Sequence, residues 1–248
     1  MTAAQLFLVR VPVSPVWVSP HSSGAVDGPV TADVPDHGAW LAALDAAGPE
    51  ADRLSLHGRL DTELVEGEPF WVDEQTDDGW SHGYAAWQPS AKDERGYPGW
   101  VRTAHLQVAE SQETPPLRSP RIAPLPEIFI QRAQEYAGTK YLWGGSAPDA
   151  VDCSSLVHNT ARWFGIVLPR DADDQADALP AVALEEAQPG DLYFFAHPGK
   201  RIHHVGIVTG PRRMLHAPET GATVVEEALT PERMTTLVAA ARIPGLMR

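Results

Sequence analysis

The chain has 248 residues, of which 43% are hydrophobic and 21% are charged, a composition typical of a globular protein with one large or two small domains. The formal net charge of −14 argues against a nucleic-acid-binding protein, which needs a basic face, and no run of about 18 apolar residues predicts a membrane span. The single cysteine cannot form an internal disulfide, and the N-terminus lacks the basic and apolar regions of a secretory signal, so we expect a cytoplasmic protein.

The N-terminal part of the sequence predicts short strands joined by turns. Alternating apolar positions indicate strands at residues 6–13, 16–19, 54–60 and 69–74. One segment differs, because Trp40, Leu41 and Leu44 follow helical spacing and predict a helix over residues 37–47. We therefore expect a small β-barrel with one helix inserted in a long loop.

A change of composition divides the chain in the middle. Residues 109–124 contain four prolines and few periodic apolar positions, which is typical of an extended, semi-rigid linker. We therefore predict an N-terminal domain over residues 1–108 and a C-terminal domain over residues 125–248.

The C-terminal part of the sequence predicts helices followed by strands. Apolar spacing indicates helices at residues 127–137, 154–164 and 171–179. Strand patterns follow at residues 191–195, 205–208, 213–217 and 224–227. Helices that precede the strands of a sheet are the order expected of an α+β fold.

Cys153 is the only cysteine, and it directly precedes one of the predicted helices. At a helix N-terminus, unpaired backbone N–H groups and the helix dipole favour a thiolate over a thiol. A free cysteine is often only a small buried hydrophobic residue, but Asp152, Ser154 and Ser155 give this one polar neighbours. The context therefore predicts a catalytic nucleophile.

Two histidines on later strand patterns are candidates for a base and its orienting partner. Alternation places His204 on the same strand face as Gly206, which leaves space for another group against that face. His216 lies on the next strand pattern, from which it can reach the far ring nitrogen of His204. The alternatives are a solvated strand-end histidine, a buried structural histidine, or a zinc site that these two histidines form with Cys153. We expect no metal, because catalytic zinc sites usually have two closely spaced ligands on one element.

Six ordered motifs carry a resemblance to a known family. They are Tyr141-Leu-Trp-Gly-Gly, Asp152-Cys-Ser-Ser-Leu-Val, Leu168-Pro-Arg-Asp with Asp174-Gln, Gln188-Pro-Gly-Asp-Leu, His204-Val-Gly-Ile-Val and His216-Ala. In order and spacing this set resembles the NlpC family of bacterial cell-wall cysteine peptidases. The resemblance implies a compact papain-like α+β fold that needs no cofactor. It also implies hydrolysis of the peptidoglycan stem between γ-D-glutamate and a diamino acid such as diaminopimelate.

The N-terminal part resembles the bacterial SH3-like domain of a subgroup that acts on muropeptide fragments, through residues 58–69 and 96–101. In that subgroup the domain recognises the free amine of an N-terminal L-alanine, which implies a role in recycling wall peptides. The substrate-binding residues that the resemblance implies are Asp61, Tyr97, Asp152, Ser154 and Asp171.

The motifs predict a mechanism in which Cys153 attacks the scissile carbonyl as a thiolate. His204 forms the ion pair with this thiolate and then protonates the leaving amine, while His216 orients His204. We expect the backbone N–H of Cys153 to help hold the developing oxyanion, and Tyr141 to supply a hydroxyl group near the sulfur. The expected partner is a peptidoglycan-derived peptide, with no nucleic acid and no membrane insertion, and the sequence leaves the oligomeric state open. The alternatives are an amidase or acyltransferase that uses the same Cys–His pair on another amide, and a non-catalytic wall-binding module.

Overall fold

A computed structural model describes residues 4–48, 53–117, 123–219 and 222–247. Its contacts divide the chain into two compact units. Unit N comprises Met1–Pro116 and Leu142–Ala147, and unit C comprises Leu117–Tyr141 and Pro148–Arg248. Each unit is described separately below.

Unit N is built on one antiparallel sheet of seven strands. In chain order these are β1 (Gln5–Val9), β2 (Val13–Trp17), β3 (Leu60–Val65), β4 (Pro69–Gln75), β5 (Trp80–Ala85), β6 (Tyr97–Arg102) and β7 (Leu106–Val108). Their order across the sheet is β3-β2-β6-β5-β4-β1-β7. Two helices, α1 (Gly28–Thr31) and α2 (His37–Ala46), lie between β2 and β3 along the chain. Inward-facing side chains such as Phe7, Val16, Phe70 and Val101 form the core on this sheet.

The structure confirms the predicted helix as α2, which begins where the Asp36 carboxylate accepts a hydrogen bond from the Ala39 N–H at 2.8 Å. The predicted strand at residues 69–74 is confirmed as β4. The predicted strand at residues 54–60 is wrong, because these residues form a 3-10 turn, and Gly58, whose φ is +73°, breaks the extended path before β3 begins.

The first predicted strand is also interrupted, because β1 ends at Val9 and β2 starts at Val13. Pro15 therefore lies inside β2 rather than between two strands. The sheet tolerates this proline because β2 pairs with β6 only at Trp17, so that Pro15 has a strand partner on one side alone.

The second segment of unit N, Leu142–Ala147, packs on β3 and contains the short strand β8 (Ser146–Ala147). The Trp143 indole N–H donates to the Leu60 carbonyl at 3.2 Å. The buried Glu63 carboxylate accepts from the N–H groups of Ser146 and Ala147 at 2.8 and 3.1 Å. The predicted C-terminal domain included this segment, whereas its contacts place it in unit N.

Unit C combines four helices with a six-stranded antiparallel sheet. The helices are α3 (Pro126–Gln134), α4 (Cys153–Trp163), α5 (Ala172–Ala178) and α6 (Pro231–Thr236). The strands of this sheet are β10 (Ala181–Val182), β11 (Leu192–Ala196), β12 (Ile202–Gly210), β13 (Arg213–His216), β14 (Val225–Ala228) and β15 (Leu237–Ala241), and the short strand β9 (Ala150–Val151) lies outside it. The sheet order is β10-β15-β11-β12-β13-β14. Both α4 and α5 pack on β12, which brings the start of α4 to the middle of the sheet.

The α+β class is confirmed, and all three helices and four strands predicted for this part are present. Four elements were missed, the strands β9, β10 and β15 and the helix α6. The run Leu-Val-Ala-Ala-Ala of β15 has the composition of a helix, but it pairs antiparallel with β11 from Ala241 to Leu237. Among the described residues, no helix has the length and apolar character needed to cross a membrane.

Candidate active site

Helix α4 begins at Cys153 because Asp152 caps it. The Asp152 carboxylate accepts from the Ser155 N–H at 2.8 Å, and the Ser155 hydroxyl oxygen accepts from the Asp152 N–H at 3.0 Å. This reciprocal pair satisfies two backbone donors and fixes the first turn. The N–H of Cys153 belongs to that turn, where backbone donors have no partner within the helix and can face a ligand.

A buried arginine holds the capping carboxylate in place. Arg170 donates to both oxygens of Asp152, at 2.7 and 3.0 Å, and to the Ser154 hydroxyl at 3.0 Å. The Gln175 amide ties the same turn to α5 by donating to the Ser154 carbonyl at 3.0 Å. The predicted binding residues Asp152 and Ser154 are therefore parts of one hydrogen-bonded network at the start of α4, a feature that the sequence analysis did not identify.

The sulfur of Cys153 lies against β12. Backbone N–H groups of Val205 and Ser154 point at it and lower its pKa, but burial and the Asp152 carboxylate dominate and raise the pKa to about 12. That rise corresponds to roughly 4 kcal/mol against the thiolate. A helix N-terminus contributes only about 0.3–1 kcal/mol in the other direction. Burial therefore opposes the expected thiolate, which stays a prediction.

The two histidines meet on adjacent strands. Nε2 of His204 on β12 lies 2.8 Å from Nδ1 of His216 on β13, and both side chains are buried. Burial, and secondarily the neighbouring His216, lowers the pKa of His204 well below 6.5, so this imidazole is neutral at pH 7. His203 is exposed, as the predicted strand alternation requires.

Gly206 leaves the space that this pair needs. A Cβ at Gly206 would stand 2.6 Å from the Met214 sulfur and 3.2 Å from the His216 Cβ. A larger residue would displace the strand face that carries His216. The backbone N–H of Val205 forms a hydrogen bond with the sulfur of Cys153. The sulfur therefore lies next to the residue that follows His204 in the chain.

A fourth side chain continues the histidine pair. Nε2 of His216 lies 3.0 Å from Oε1 of Glu227 on β14, and the Nε–H of Arg233 donates to the same oxygen at 3.0 Å. Both ring nitrogens of His216 therefore have a hydrogen-bond partner. In this arrangement neither nitrogen is available as a ligand for the alternative zinc site. The sequence placed Glu227 on a strand but gave no signal of this contact, which depends on the register between β13 and β14.

Tyr141 is buried, and burial, followed by electrostatic interaction with Cys153 and Asp152, raises its pKa well above 10. It therefore remains a protonated phenol that can donate a hydrogen bond, and its electrostatic coupling to Cys153 places it near the sulfur. Asp171 is half-buried at the start of α5, where its carboxylate lies within 4.8 Å of those of Asp173 and Asp174. This cluster concentrates negative charge in unit C.

In unit N, the structure brings the predicted residues Asp61 and Tyr97 together around a lysine. Nζ of Lys92 lies 2.5 Å from the Asp61 carboxylate and 2.8 Å from the Tyr97 hydroxyl. The same ammonium lies 4.4 Å from the centre of the Tyr97 ring. These two side chains therefore form a site that holds an ammonium group, and in this structure Lys92 supplies it. Sequence reasoning missed Lys92.

Comparison with known proteins gives one consistent result. The model of the NlpC/P60 family matches residues 138–242. A gamma-D-glutamyl-L-lysine dipeptidyl-peptidase of Bacillus subtilis (strain 168) is 29% identical over 230 residues, which covers 69% of this chain and 76% of that protein. A protein of the same name from Bacillus cereus (strain ATCC 10987 / NRS 248) is 23% identical over 282 residues, covering 87% of this chain and 84% of that protein.

The fold has a solved counterpart. The crystal structure of an NlpC/P60 family protein from Bacillus cereus ATCC 10987 superposes with a TM-score of 0.85 and covers 96% of this chain and 99% of that chain. At 22% identity this likeness establishes the fold. The SH3-like character of unit N stays a prediction.

Proposed function

We propose that this chain, whose residues 138–242 match the model of the NlpC/P60 family, is a cysteine peptidase that hydrolyses the γ-D-glutamyl–diamino acid bond of peptidoglycan stem peptides. The observation that carries the proposal is the hydrogen-bonded pair His204–His216 on the strand that also contacts the sulfur of Cys153. The names of the two Bacillus relatives support the choice of bond, because both describe cleavage after a γ-D-glutamyl group.

The reaction starts from neutral groups. Burial favours the thiol of Cys153 and the neutral imidazole of His204, so the thiol proton moves to His204 as the sulfur attacks the carbonyl carbon. The Cys153 N–H stabilises the oxyanion, a contribution typically worth about 3 kcal/mol, and Tyr141 remains a phenolic donor nearby. The imidazolium then protonates the leaving amine. Water hydrolyses the thioester with His204 again as the base.

We also propose that the substrate carries a free N-terminal amine, as a recycled muropeptide does, and that the protein acts in the cytoplasm. The contact of Lys92 with Asp61 and Tyr97 supports the proposed amine recognition, because these two side chains hold the ammonium group of Lys92. Asp171 adds negative charge near the start of α5. Asp152 and Ser154 contribute through the network around Arg170, since the Asp152 carboxylate is already paired.

Mass spectrometry of defined peptides tests the proposal. The wild-type protein and the Cys153→Ala variant are incubated with L-Ala-γ-D-Glu-diaminopimelate and with the corresponding lysine peptide. We expect the wild type to release L-Ala-D-Glu and the folded variant to release none. Undiminished release by the variant, or cleavage at another bond by the wild type, overturns the proposal.

A further inference from the structure

We propose that Glu227 is a positioning residue of the active site, which acts through His216 to fix the proton on Nε2 of His204. The inference rests on the proposed cysteine peptidase mechanism and extends its histidine pair to a relay of four side chains. It starts from two distances, 2.8 Å between the histidine rings and 3.0 Å between His216 and Glu227.

The strand register creates the second contact. His216 on β13 pairs with Val225 on β14. Alternation along β14 puts Glu227 on the same sheet face as Val225, one side-chain position further along. The His216 ring therefore lies between the strand that carries His204 and the side chain of Glu227. Glu226 faces the other way, where its carboxylate accepts from the Thr209 hydroxyl at 3.0 Å.

The Glu227 carboxylate fixes the direction of two hydrogen bonds, the one between Glu227 and His216 and the one between His216 and His204. An ionised carboxylate only accepts, so Nε2 of His216 must carry the proton that it donates to Glu227. Nδ1 of the neutral His216 ring is then an acceptor, and Nε2 of His204 must donate to it. This leaves Nδ1 of the neutral His204 ring as the nitrogen with a lone pair, the form required to take the thiol proton from Cys153.

Without the Glu227 carboxylate, the hydrogen bond between His204 and His216 can have either ring as the donor. His216 can then donate from Nδ1 to Nε2 of His204, which forces the proton of a neutral His204 ring onto Nδ1. In that tautomer His204 has no lone pair for the thiol, so the reaction stops at its first step. A glutamine at position 227 permits this direction, because its amide can donate to His216 instead of accepting.

Titratable or charged groups on three elements surround His216. His204 approaches from β12, Glu227 from β14 and Arg233 from α6. Burial and Arg233 lower the pKa of His216, Glu227 raises it, and the balance is a pKa of about 4. Removal of Glu227 therefore lowers the pKa of the histidine pair further.

Rates against pH test the relay, with Glu226→Gln as the matched control on the same strand. Both positions can be replaced without opening the core, because the side chains of Glu226 and Glu227 are 32% and 34% exposed. For Glu227→Gln we expect kcat to fall by about 10- to 100-fold with little change in KM. The acid limb of its rate profile should move to lower pH, and Glu227→Asp should recover part of the rate.

A purely structural role would not move the acid limb. Equal loss of activity in Glu226→Gln and Glu227→Gln, or a Glu227→Gln variant with wild-type kcat and an unshifted profile, overturns the proposal.

Nitrogen-15 NMR of the histidines tests the tautomers without any substrate. The wild type should carry the proton on Nε2 of both His204 and His216, and Glu227→Gln should change this pattern whereas Glu226→Gln should not. A proton on Nδ1 of His204 in the wild type contradicts the relay. If the expected tautomers are present but no γ-D-glutamyl peptide is cleaved, the relay stands and the proposed function fails.

Discussion

Replacing Arg170 by methionine should destabilise the protein strongly. The Arg170 side chain is 1% exposed and makes two hydrogen bonds to Asp152 and one to Ser154. Methionine fills most of the same volume but leaves the Asp152 carboxylate without its counterion. Removing one partner of a buried ion pair costs about 3–5 kcal/mol, because an uncompensated charge remains.

Urea unfolding followed by tryptophan fluorescence measures this cost at pH 7. The control is Arg201→Met, which breaks an ion pair with Asp173 in which Arg201 is 78% exposed. An exposed pair is worth about 0–1 kcal/mol. In the double variant Asp152→Asn/Arg170→Met both charges are gone and asparagine still caps α4, so we expect the double variant to be more stable than the sum of the two single effects implies.

The reasoning is refuted if Arg170→Met costs no more than Arg201→Met. It is also refuted if the effects of Asp152→Asn and Arg170→Met simply add. In either case the stability of the protein with an ionised Asp152 would not depend on the ion pair with Arg170.

Four further predictions concern charged and titratable groups. Acetylation of the substrate amine should lower kcat/KM by roughly 30- to 1000-fold, from a desolvated charge contact of about 2–4 kcal/mol, and equal rates for both peptides would reject amine recognition. If Asp61 binds the substrate amine as proposed, Lys92 competes with that amine, so Lys92→Met should lower KM for the free-amine peptide and not for the acetylated one; an unchanged KM would contradict this competition. Burial lowers the pKa of His158 to about 3 from 6.5, so the folded state binds fewer protons than the unfolded state in that range. As the pH decreases from 6.5 to 3, this residue should therefore lower the free energy of unfolding by up to about 1.4 kcal/mol per pH unit. His158→Asn should reduce this dependence of the unfolding free energy on pH, measured by urea unfolding. Arg233→Gln should move the acid limb of the rate profile to higher pH, opposite to Glu227→Gln, because Arg233 lowers the pKa of His216; a shift in the same direction would argue against electrostatic control.

The elements that carry strong local signals could be predicted from the sequence. Helix α4 has apolar residues at helical spacing and starts after a capping aspartate, so its position follows from residues 152–164 alone. The histidine pair was predicted from strand alternation and from the order of the motifs. The strand predicted at residues 54–60 is wrong because the left-handed backbone of Gly58 outweighs the alternation of neighbouring leucines.

The contacts that tune the site could not be predicted. Glu227 reaches His216 through the register of two strands, and Lys92 reaches Asp61 across 31 positions of the chain. Neither contact has a signature in the spacing of the residues. Burial of the Cys153 sulfur also depends on tertiary packing, and it raises the pKa of the thiol against the effect of the helix N-terminus that the sequence reveals.

The central claim is that the thiol at position 153 carries the acyl group during hydrolysis. Acid quenching of the wild type during turnover of L-Ala-γ-D-Glu-diaminopimelate, followed by mass spectrometry, tests this directly. The account predicts that the fragment containing Cys153 gains the mass of an L-Ala-γ-D-glutamyl group and loses it on treatment with hydroxylamine. Turnover without any adduct, together with an active Cys153→Ala variant, would contradict it.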